Sequence, residues 1–459
     1  MAKTAAIILA AGRGTRMHSG RAKALHELGG IPLVMHVVRT VERAGLEMPW
    51  VVSGYQADRV EETLEGLAQF IRQPEMRGTG NAVYHVLGEL PADVDDILVL
   101  YADCPLLPEE LLTSLLAAHE RNDAAATLVT TVMEDPTGYG RIVRGGDNSI
   151  DAIIEEQSLN DANRSIQEIN TGIGVWRVDG LRQILADLPY HNEEQYLTEA
   201  VAVLRSRGDV VLPLMWDQSD QVMGINTRRE LARAEAILRQ RTLDRLYDQG
   251  VTIVDPDTTY VDADVEVGQD TVIYPMTFLK GRTKIGRECH IGPMATVVNS
   301  RLADGVIIGQ SVIEQSVISS TARVGPFSHL RAGTFLDRDV KIGNFVELKN
   351  TRVGIGSKAS HHSYLGDATI GARVNIGAGT VIVNFDGSSK NPTFIGDEAF
   401  IGCNSNLVAP LEIGPGAYVA AGSTLTQNVP GDALAIARGR QENKPGWAKS
   451  HRAGTKNHT

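Results

Sequence analysis

Two stretches carry residue types whose spacing could do chemistry. The first ends a short apolar run, Ala5 to Leu9, with Ala10-Ala11-Gly12-Arg13-Gly14-Thr15-Arg16-Met17. Small residues at Ala10, Ala11, Gly12 and Gly14 let backbone N–H groups approach a phosphate or a base closely. Arg13, Arg16, Arg21 and Lys23 concentrate positive charge just beyond. A lone Gly-x-Gly is equally a plain turn, and without its third glycine this is not the dinucleotide fingerprint. The second stretch, between Leu348 and Ile370, contains Lys349, His361, His362 and Tyr364. Histidine titrates near neutrality and serves as a general base, but adjacent histidines in an extended segment point to opposite sides, so at most one serves a given site. A polar loop, Asn384-Phe-Asp-Gly-Ser-Ser-Lys390, follows, of the kind that carries function.

The first stretch needs a scaffold, and the N-terminal half supplies alternating strand and helix signals. Trp50–Ser53 and Asp96–Tyr101 read as strands, and Leu33, Val34, Val37, Val38 and Val41 as an amphipathic helix stopped by Gly45. Further helices are expected over 58–67 and 80–90. Such alternation implies an α/β domain with a mostly parallel sheet, in which ligands bind beyond the carboxyl ends of the strands.

The second stretch lies in a ladder of aliphatic residues spaced six apart. Val267, Ile273, Leu279, Ile285, Ile291 and Val297 form one block; Val306, Val312, Ile318, Val324, Leu330, Leu336, Ile342 and Leu348 a second; Ile370, Ile376 and Ile382 a third; Ile395 through Leu425 a fourth. A smaller residue sits two positions before most of them, on the same side of a strand. Glycines such as Gly268, Gly286, Gly343 and Gly377 follow the large residue, which suggests turns at positive φ. Short strands in one sustained register predict a parallel β-helix that buries a core only by stacking coils. The crossover rule alone would make it right-handed. Inward positions are too apolar for chemistry, so function is expected on the faces and at breaks of register, notably between Ile382 and Ile395.

At 459 residues two domains are expected. We read residues 1–227 as the first, 228–250 as a helical linker and 251–459 as the β-helix with its C-terminal tail, although the linker helix could equally belong to the first domain's edge. A net charge of −12 argues against wholesale nucleic-acid binding, so anionic substrates need local basic clusters. Cys104, Cys289 and Cys403 are in no metal-ligand spacing and read as reduced thiols of a cytoplasmic protein. No run reaches the length of a membrane span.

Leu9-Ala-Ala-Gly-Arg-Gly-Thr-Arg-Met17 followed by Lys23 resembles the signature of sugar-nucleotidyltransferases. With a β-helix behind it, the chain is similar over nearly its whole length to the bifunctional N-acetylglucosamine-1-phosphate uridyltransferase/glucosamine-1-phosphate N-acetyltransferase family. Gln73, Gly78-Thr79, Tyr101-Ala-Asp103, Thr137-Gly-Tyr-Gly-Arg141, Glu155, Asn170-Thr-Gly172 and Gly224-Ile-Asn226 fall in that family's order. The resemblance implies a Rossmann-like α/β nucleotidyltransferase domain followed by a left-handed β-helix of hexapeptide repeats. It implies that the second half acetylates glucosamine 1-phosphate with acetyl-CoA. The first half would then transfer UMP from UTP to N-acetylglucosamine 1-phosphate, releasing pyrophosphate and feeding peptidoglycan and lipopolysaccharide precursors. Attack of one phosphate on another calls for a hard divalent cation, and Asp103 and Asn226 suit the sparse protein ligation of Mg²⁺.

By the same resemblance Arg16 is a catalytic residue, and with Lys23 it steadies the phosphates. Leu9, Ala10, Ala11, Gly12, Gln73, Gly78 and Thr79 hold the uridine, Gly140, Glu155 and Asn170 the N-acetylated sugar, and Tyr101, Ala102 and Asp103 lie between. In the second half the resemblance selects His361 as the base and adds Asn384 as a catalytic residue. It places Arg331, Lys349, Tyr364, Asn375 and Lys390 on the sugar phosphate, and Ala378, Asn384, Phe385, Cys403, Ala421 and Arg438 on acetyl-CoA. Departures are Ala22 for a usual Pro, Phe385 for Tyr and Cys403 for Ser; Cys104 is expected to be structural. The family forms homotrimers whose acyl-transfer sites are completed by neighbouring subunits. A single-activity nucleotidyltransferase with a merely oligomerising β-helix would not need Lys349, His361, Tyr364, Asn375, Asn384 and Lys390 together.

Overall fold

The structure is a computed structural model that describes residues 2–73, 75–191 and 193–454. The chain divides into two compact units, residues 1–241 and 242–459. The division falls inside the connecting helix Arg228–Asp248, whose Ala234 packs in a small cluster of the first unit and whose Leu243 and Leu246 lie in the core of the second.

The first unit is built on a nine-stranded sheet. Its strands are β1 (Thr4–Leu9), β2 (Trp50–Ser53), β3 (Gln69–Arg72), β4 (Asp96–Tyr101), β5 (Ala126–Val132), β6 (Arg141–Arg144), β7 (Ile150–Ile154), β8 (Glu168–Arg177) and β9 (Val211–Met215). The order β9-β5-β8-β4-β1-β2-β3 is parallel from β4 to β3, with β8 antiparallel to both its neighbours. Ile7 and Ile8 are fully enclosed, one on each face of the sheet, as expected of a central strand covered by helices. Helices cover Leu33–Arg43, Gly78–Glu89 and Glu109–Asn122. The helix expected over 58–67 stops at Thr63, because the chain must turn back at Gly66, at φ 75°, to enter β3.

In the second unit each short strand pairs in parallel with one a full coil later, giving three ladders that form three faces. We name the first face from Val272–Ile273 and its partners, the second from Phe278–Lys280, and the third from Glu266–Val267. The inward ladder holds through Ile273, Leu279, Ile285, Ile291 and Val297, all buried. The second sequence block needs correcting at its start. The coils shorten there, so Ile291 pairs with Ile308, Val297 with Ile313 and Leu302 with Ile318. Val312 is therefore outside, 38% exposed, while Leu302, Ile308 and Ile313 are the true inward residues and Val306 fills the smaller position before Ile308. A turn lacking one residue does not disturb the stack, because register is set by side-chain burial and not by residue count.

The glycines also correct the reading. Of those that follow the large residue, Gly292 and Gly325 have positive φ, but Gly268, Gly286, Gly343 and Gly377 do not. The left-handed backbone falls instead just before the small inward residue, at Asp270, Met276, Glu288 and Met294. Glycine is needed for space: a Cβ on Gly268 or Gly377 would lie 2.6 Å from the backbone of the next coil. Many small inward hydroxyls pair with turn backbone, as Thr271 does with the Gly286 carbonyl at 2.9 Å and Ser357 with Gly371 at 2.7 Å, although those of Thr277 and Thr393 do not.

This register is testable. Ile313→Ala should destabilise the β-helix by about 2–5 kcal/mol in denaturant unfolding, whereas Val312→Ala should stay within about 0.5 kcal/mol. The opposite ranking would restore the uniform six-residue ladder.

Candidate active sites

β1 and β4 run side by side with Leu9 opposite Tyr101, so the segments leaving them, Leu9 to Gly12 and Tyr101 to Asp103, emerge together. They border an open cleft of about 320 Å³ at the carboxyl edge of the sheet, with Lys23, Gln73, Gly78 and Thr79 also on its walls. The uridine residues expected from sequence thus converge. The structure adds Val52, Met76, Glu194 and Tyr196, which sequence reasoning missed. Segment 194–197 has no periodicity, and it reaches the cleft through pairing with 77–80: the Gly80 amide donates to the Gln195 carbonyl at 2.9 Å and the Leu197 amide to Thr79 Oγ1 at 3.0 Å. The one available signal was Gly78, at φ 87°, where a Cβ would sit 2.6 Å from the Gln195 nitrogen.

At one end of the cleft the charged groups meet. The Lys23 ammonium contacts the Asp103 carboxylate and lies 2.6 Å from Asn226 Oδ1, to which Arg16 also donates at 2.8 Å. Two features hold these oxygens together. The Ile225 amide donates to the Asp103 carbonyl at 2.8 Å. A reciprocal cap at the start of the connecting helix pairs the Thr227 amide with Glu230 at 2.9 Å and the Glu230 amide with Thr227 Oγ1 at 3.2 Å, while Glu230 also accepts from the Asn226 amide at 2.6 Å. Asp103 is not a helix cap, since the next helix begins after Pro108. One carboxylate and one amide oxygen facing the same cation form a hard-oxygen donor set that suits Mg²⁺ completed by waters and phosphates. Arg13 and Arg21 take no part, the first lying over the Tyr55 ring and the second paired with Glu27. Burial pushes the Cys104 thiol well up, and its Sγ lies 3.6 Å from Asp103 Oδ1, in keeping with a structural role.

The sugar candidates form a neighbouring wall. The Asn170 amide donates to the Gly140 carbonyl at 2.9 Å, and Thr198 Oγ1 donates to Glu155 at 2.7 Å. Gly172, at φ 83°, lets the Tyr101 ring pack where a Cβ would be 2.5 Å away. Burial, aided by the nearby Asp103 charge, raises the Tyr101 phenol and keeps it neutral.

In the β-helix the candidates separate into two places. His361 is exposed at the edge between the first and second faces, with Nδ1 2.8 Å from Asn344 Oδ1. Successive turns stack along this edge: His362 accepts from the Gly379 amide, Ala378 from Asn404 and Cys403 from Gly422, at 2.6, 2.7 and 2.8 Å. Ala421 lies in the last of these turns, and Arg438 Cδ is 3.9 Å from where a Gly422 Cβ would stand. Most acetyl-CoA candidates therefore share one edge with the proposed base. At the far end of the second face, Lys349 lies 3.3 Å from Asp367, which also accepts from Asn350 and Asn384 at 2.9 and 2.5 Å. Tyr364 and Asn384 converge over Gly366, where a Cβ would be 2.5 and 2.7 Å from them. Lys390 borders the adjoining groove with Asp367. It is held below the ordinary lysine value by contact with and repulsion from Lys349, with Arg331 adding to the effect. Arg331 itself pairs with Glu347 at 3.0 Å. Asn375, on the first face beside Lys358, stands apart from this corner within one chain, and Asn384 and exposed Phe385 lie near it instead of on the His361 edge. Asp367 was missed as a site residue; its φ of 51° is shared with turn residues such as Asp270, Asp339 and Arg373, so local sequence carries no signal for it.

Comparison with known proteins follows this division. Residues 6–253 match the model of the MobA-like NTP transferase domain, 256–364 that of the GMPPB C-terminal domain, and 392–427 that of the hexapeptide repeat of succinyl-transferase. The second unit is accordingly a left-handed parallel β-helix. Relatives named bifunctional protein GlmU include one from Exiguobacterium sp., 45% identical over 97% of this chain and 99% of its own length. Others are from Brevibacillus brevis, 45% identical over 99% and 100%, and Acetivibrio thermocellus, 44% identical over 96% of each. Among the described residues no helix is long and apolar enough to cross a membrane.

The lysine corner makes a pH prediction. Lys390 releases its proton at a lower pH than an ordinary lysine, so once inorganic phosphate is fully in its dianionic form its binding to this corner should weaken before the pH reaches the ordinary lysine value. Lys390→Ala should remove that part of the slope in a calorimetric titration; an unchanged slope would exclude Lys390 from the anion site.

Proposed function

The chain belongs to the bifunctional GlmU family and is both a uridyltransferase and an acetyltransferase, and we propose how its residues divide the two reactions. The C-terminal unit acetylates glucosamine 1-phosphate with acetyl-CoA. The N-terminal unit joins the product to UMP from UTP, yielding pyrophosphate and the UDP-N-acetylglucosamine that feeds peptidoglycan and lipopolysaccharide precursors. The observation that carries this reading is the convergence of Arg16, Lys23, Asp103 and Asn226 at the end of the cleft.

In uridylyl transfer, Leu9 to Gly12, Gln73, Gly78 and Thr79 hold the uridine, and Gly140, Glu155 and Asn170 the N-acetylated sugar. Asp103 and Asn226 would hold Mg²⁺, which neutralises the repulsion between the two phosphates when bound. Arg16 and Lys23 bind phosphate oxygens and oppose the charge that builds on the leaving pyrophosphate. The cleft supports this by keeping the base-binding wall and the cationic end within one opening.

In acetyl transfer, Asn344 Oδ1 accepts from His361 Nδ1, which leaves Nε2 unprotonated to take the proton released as the amine attacks the thioester. Lys349, Lys390, Arg331 and Tyr364 bind the sugar phosphate, and Ala378, Cys403, Ala421 and Arg438 the acetyl-CoA. His361 and Tyr364 lie on either side of the corner at His362, which has φ 36°. Asn375 and the acetyl-CoA edge lie away from the lysine corner. This separation, and the exposed stacked pairs Phe327–Phe345 and Phe400–Tyr418, support a homotrimer in which neighbouring copies complete each site. The free thiols of Cys104, Cys289 and Cys403 and these substrates support a cytoplasmic location.

His361→Ala should abolish CoA release while UTP-dependent pyrophosphate release persists, and Asp103→Asn should do the reverse. Loss of both activities in either folded variant would contradict separate sites. Equilibrium sedimentation should give three chains per particle; a monomer retaining full acetyl transfer would refute shared sites.

A further inference from the structure

We propose that Asp367 is a positioning residue of the acetyl-transfer site, which fixes the Asn384 amide so that its oxygen faces the amine of the amino-sugar phosphate. The inference rests on the acetyltransferase reading of this unit.

The Asp367 side chain is only 12% exposed, and its carboxylate can only accept hydrogen bonds. It accepts from Asn384 Nδ2 at 2.5 Å and from Asn350 Nδ2 at 2.9 Å. Those contacts dictate the orientation of the Asn384 amide, itself only 6% exposed: the NH₂ is committed to Asp367, and Oδ1 is the end left to meet a substrate. Lys349 stands at 3.3 and 3.4 Å, long for a charge-assisted bond, so the two amides and not the ammonium set the carboxylate's direction. Asp367 is held by its backbone as well, with its amide donating to the Lys349 carbonyl at 2.9 Å and its carbonyl accepting from Thr393 at 3.2 Å. Gly366 keeps room for the arrangement, since a Cβ there would lie 2.7 Å from Asn384 Nδ2.

The orientation matters chemically. A neutral amine attacks through its lone pair and has N–H groups to donate. An outward amide oxygen accepts one of them and turns the lone pair toward the thioester, whereas an outward NH₂ would compete for the lone pair itself. Asn384 lies with Tyr364 and Lys349, which places this acceptor beside the sugar-phosphate residues.

The test compares Asp367→Asn with the exchange variant Asp367→Asn/Asn384→Asp, in which donor and acceptor trade places and an oxygen again faces outward. In the single variant, kcat for acetylation of glucosamine 1-phosphate should fall by about thirtyfold or more. The exchange should recover about tenfold of that loss, while uridylyl transfer and the thermal unfolding midpoint of both variants stay close to wild type. A single variant that keeps kcat and only raises KM for the sugar phosphate would reduce Asp367 to a counter-ion of Lys349 and overturn the proposal. So would an exchange variant that folds but acetylates no faster than the single one. Should Asp367→Asn alone unfold, the exchange variant decides: acetylation above about a tenth of wild type supports the inference, and less overturns it. Wild-type protein without amine-dependent CoA release would instead refute the acetyltransferase reading itself.

Discussion

Both sites depend on one carboxylate set against a lysine. A chain of net charge −12 that handles phosphates must gather cations locally, and gathered cations repel one another. Asp103 meets Lys23 in the first unit, and Asp367 stands beside Lys349 in the second, each partly shielded from water. Neither pair is a stability device of the surface kind. Each acidic residue is also tied by its backbone, Asp103 through Ile225 and Asp367 through Lys349 and Thr393, so its loop is fixed by main-chain bonds while the lysine balances the charge.

The rest of each unit positions that pairing by different means. In the first, parallel strands deliver Leu9 and Tyr101 side by side, and the capped start of a long helix brings Asn226 back to Asp103 across most of the domain's sequence. In the second, the stack of coils does the work. Each turn donates to the turn before it, so residues a coil apart in sequence become neighbours on an edge, as His362, Ala378 and Cys403 do with their partners. The buried ladder supplies most of the driving force, since each fully enclosed Leu, Ile or Val contributes about 1.5–3 kcal/mol. The extruded loop after Ile382 can therefore carry Lys390 without weakening the core, for Ile370 still pairs with Ile395 and Ile382 with Leu407.

Several errors of sequence reading have one origin. Counting by six put Val312 inside, because a count cannot register a turn that loses one residue, whereas burial selects Ile313. Glycine was credited with positive φ where it actually makes room for the adjacent coil's backbone, a contact between residues far apart in the chain. Segment 194–197 and Asp367 escaped notice for the same reason, as their importance comes from partners that local patterning does not reveal.

What the amino-acid order alone determined was the set of chemical types and their scaffolds: a loop of small residues followed by cations after an apolar strand, an acidic residue at the end of another, and a stacked prism later in the chain. These are local, because strand, turn and periodic burial are written in neighbouring residues. Only the tertiary structure decided which groups share a site. It brought Asn226 to Asp103, turned Arg13 and Arg21 away to Tyr55 and Glu27, and parted Asn375 from the lysine corner. Such choices depend on where backbone hydrogen bonds between distant segments close, and that closure exists only once the chain has folded.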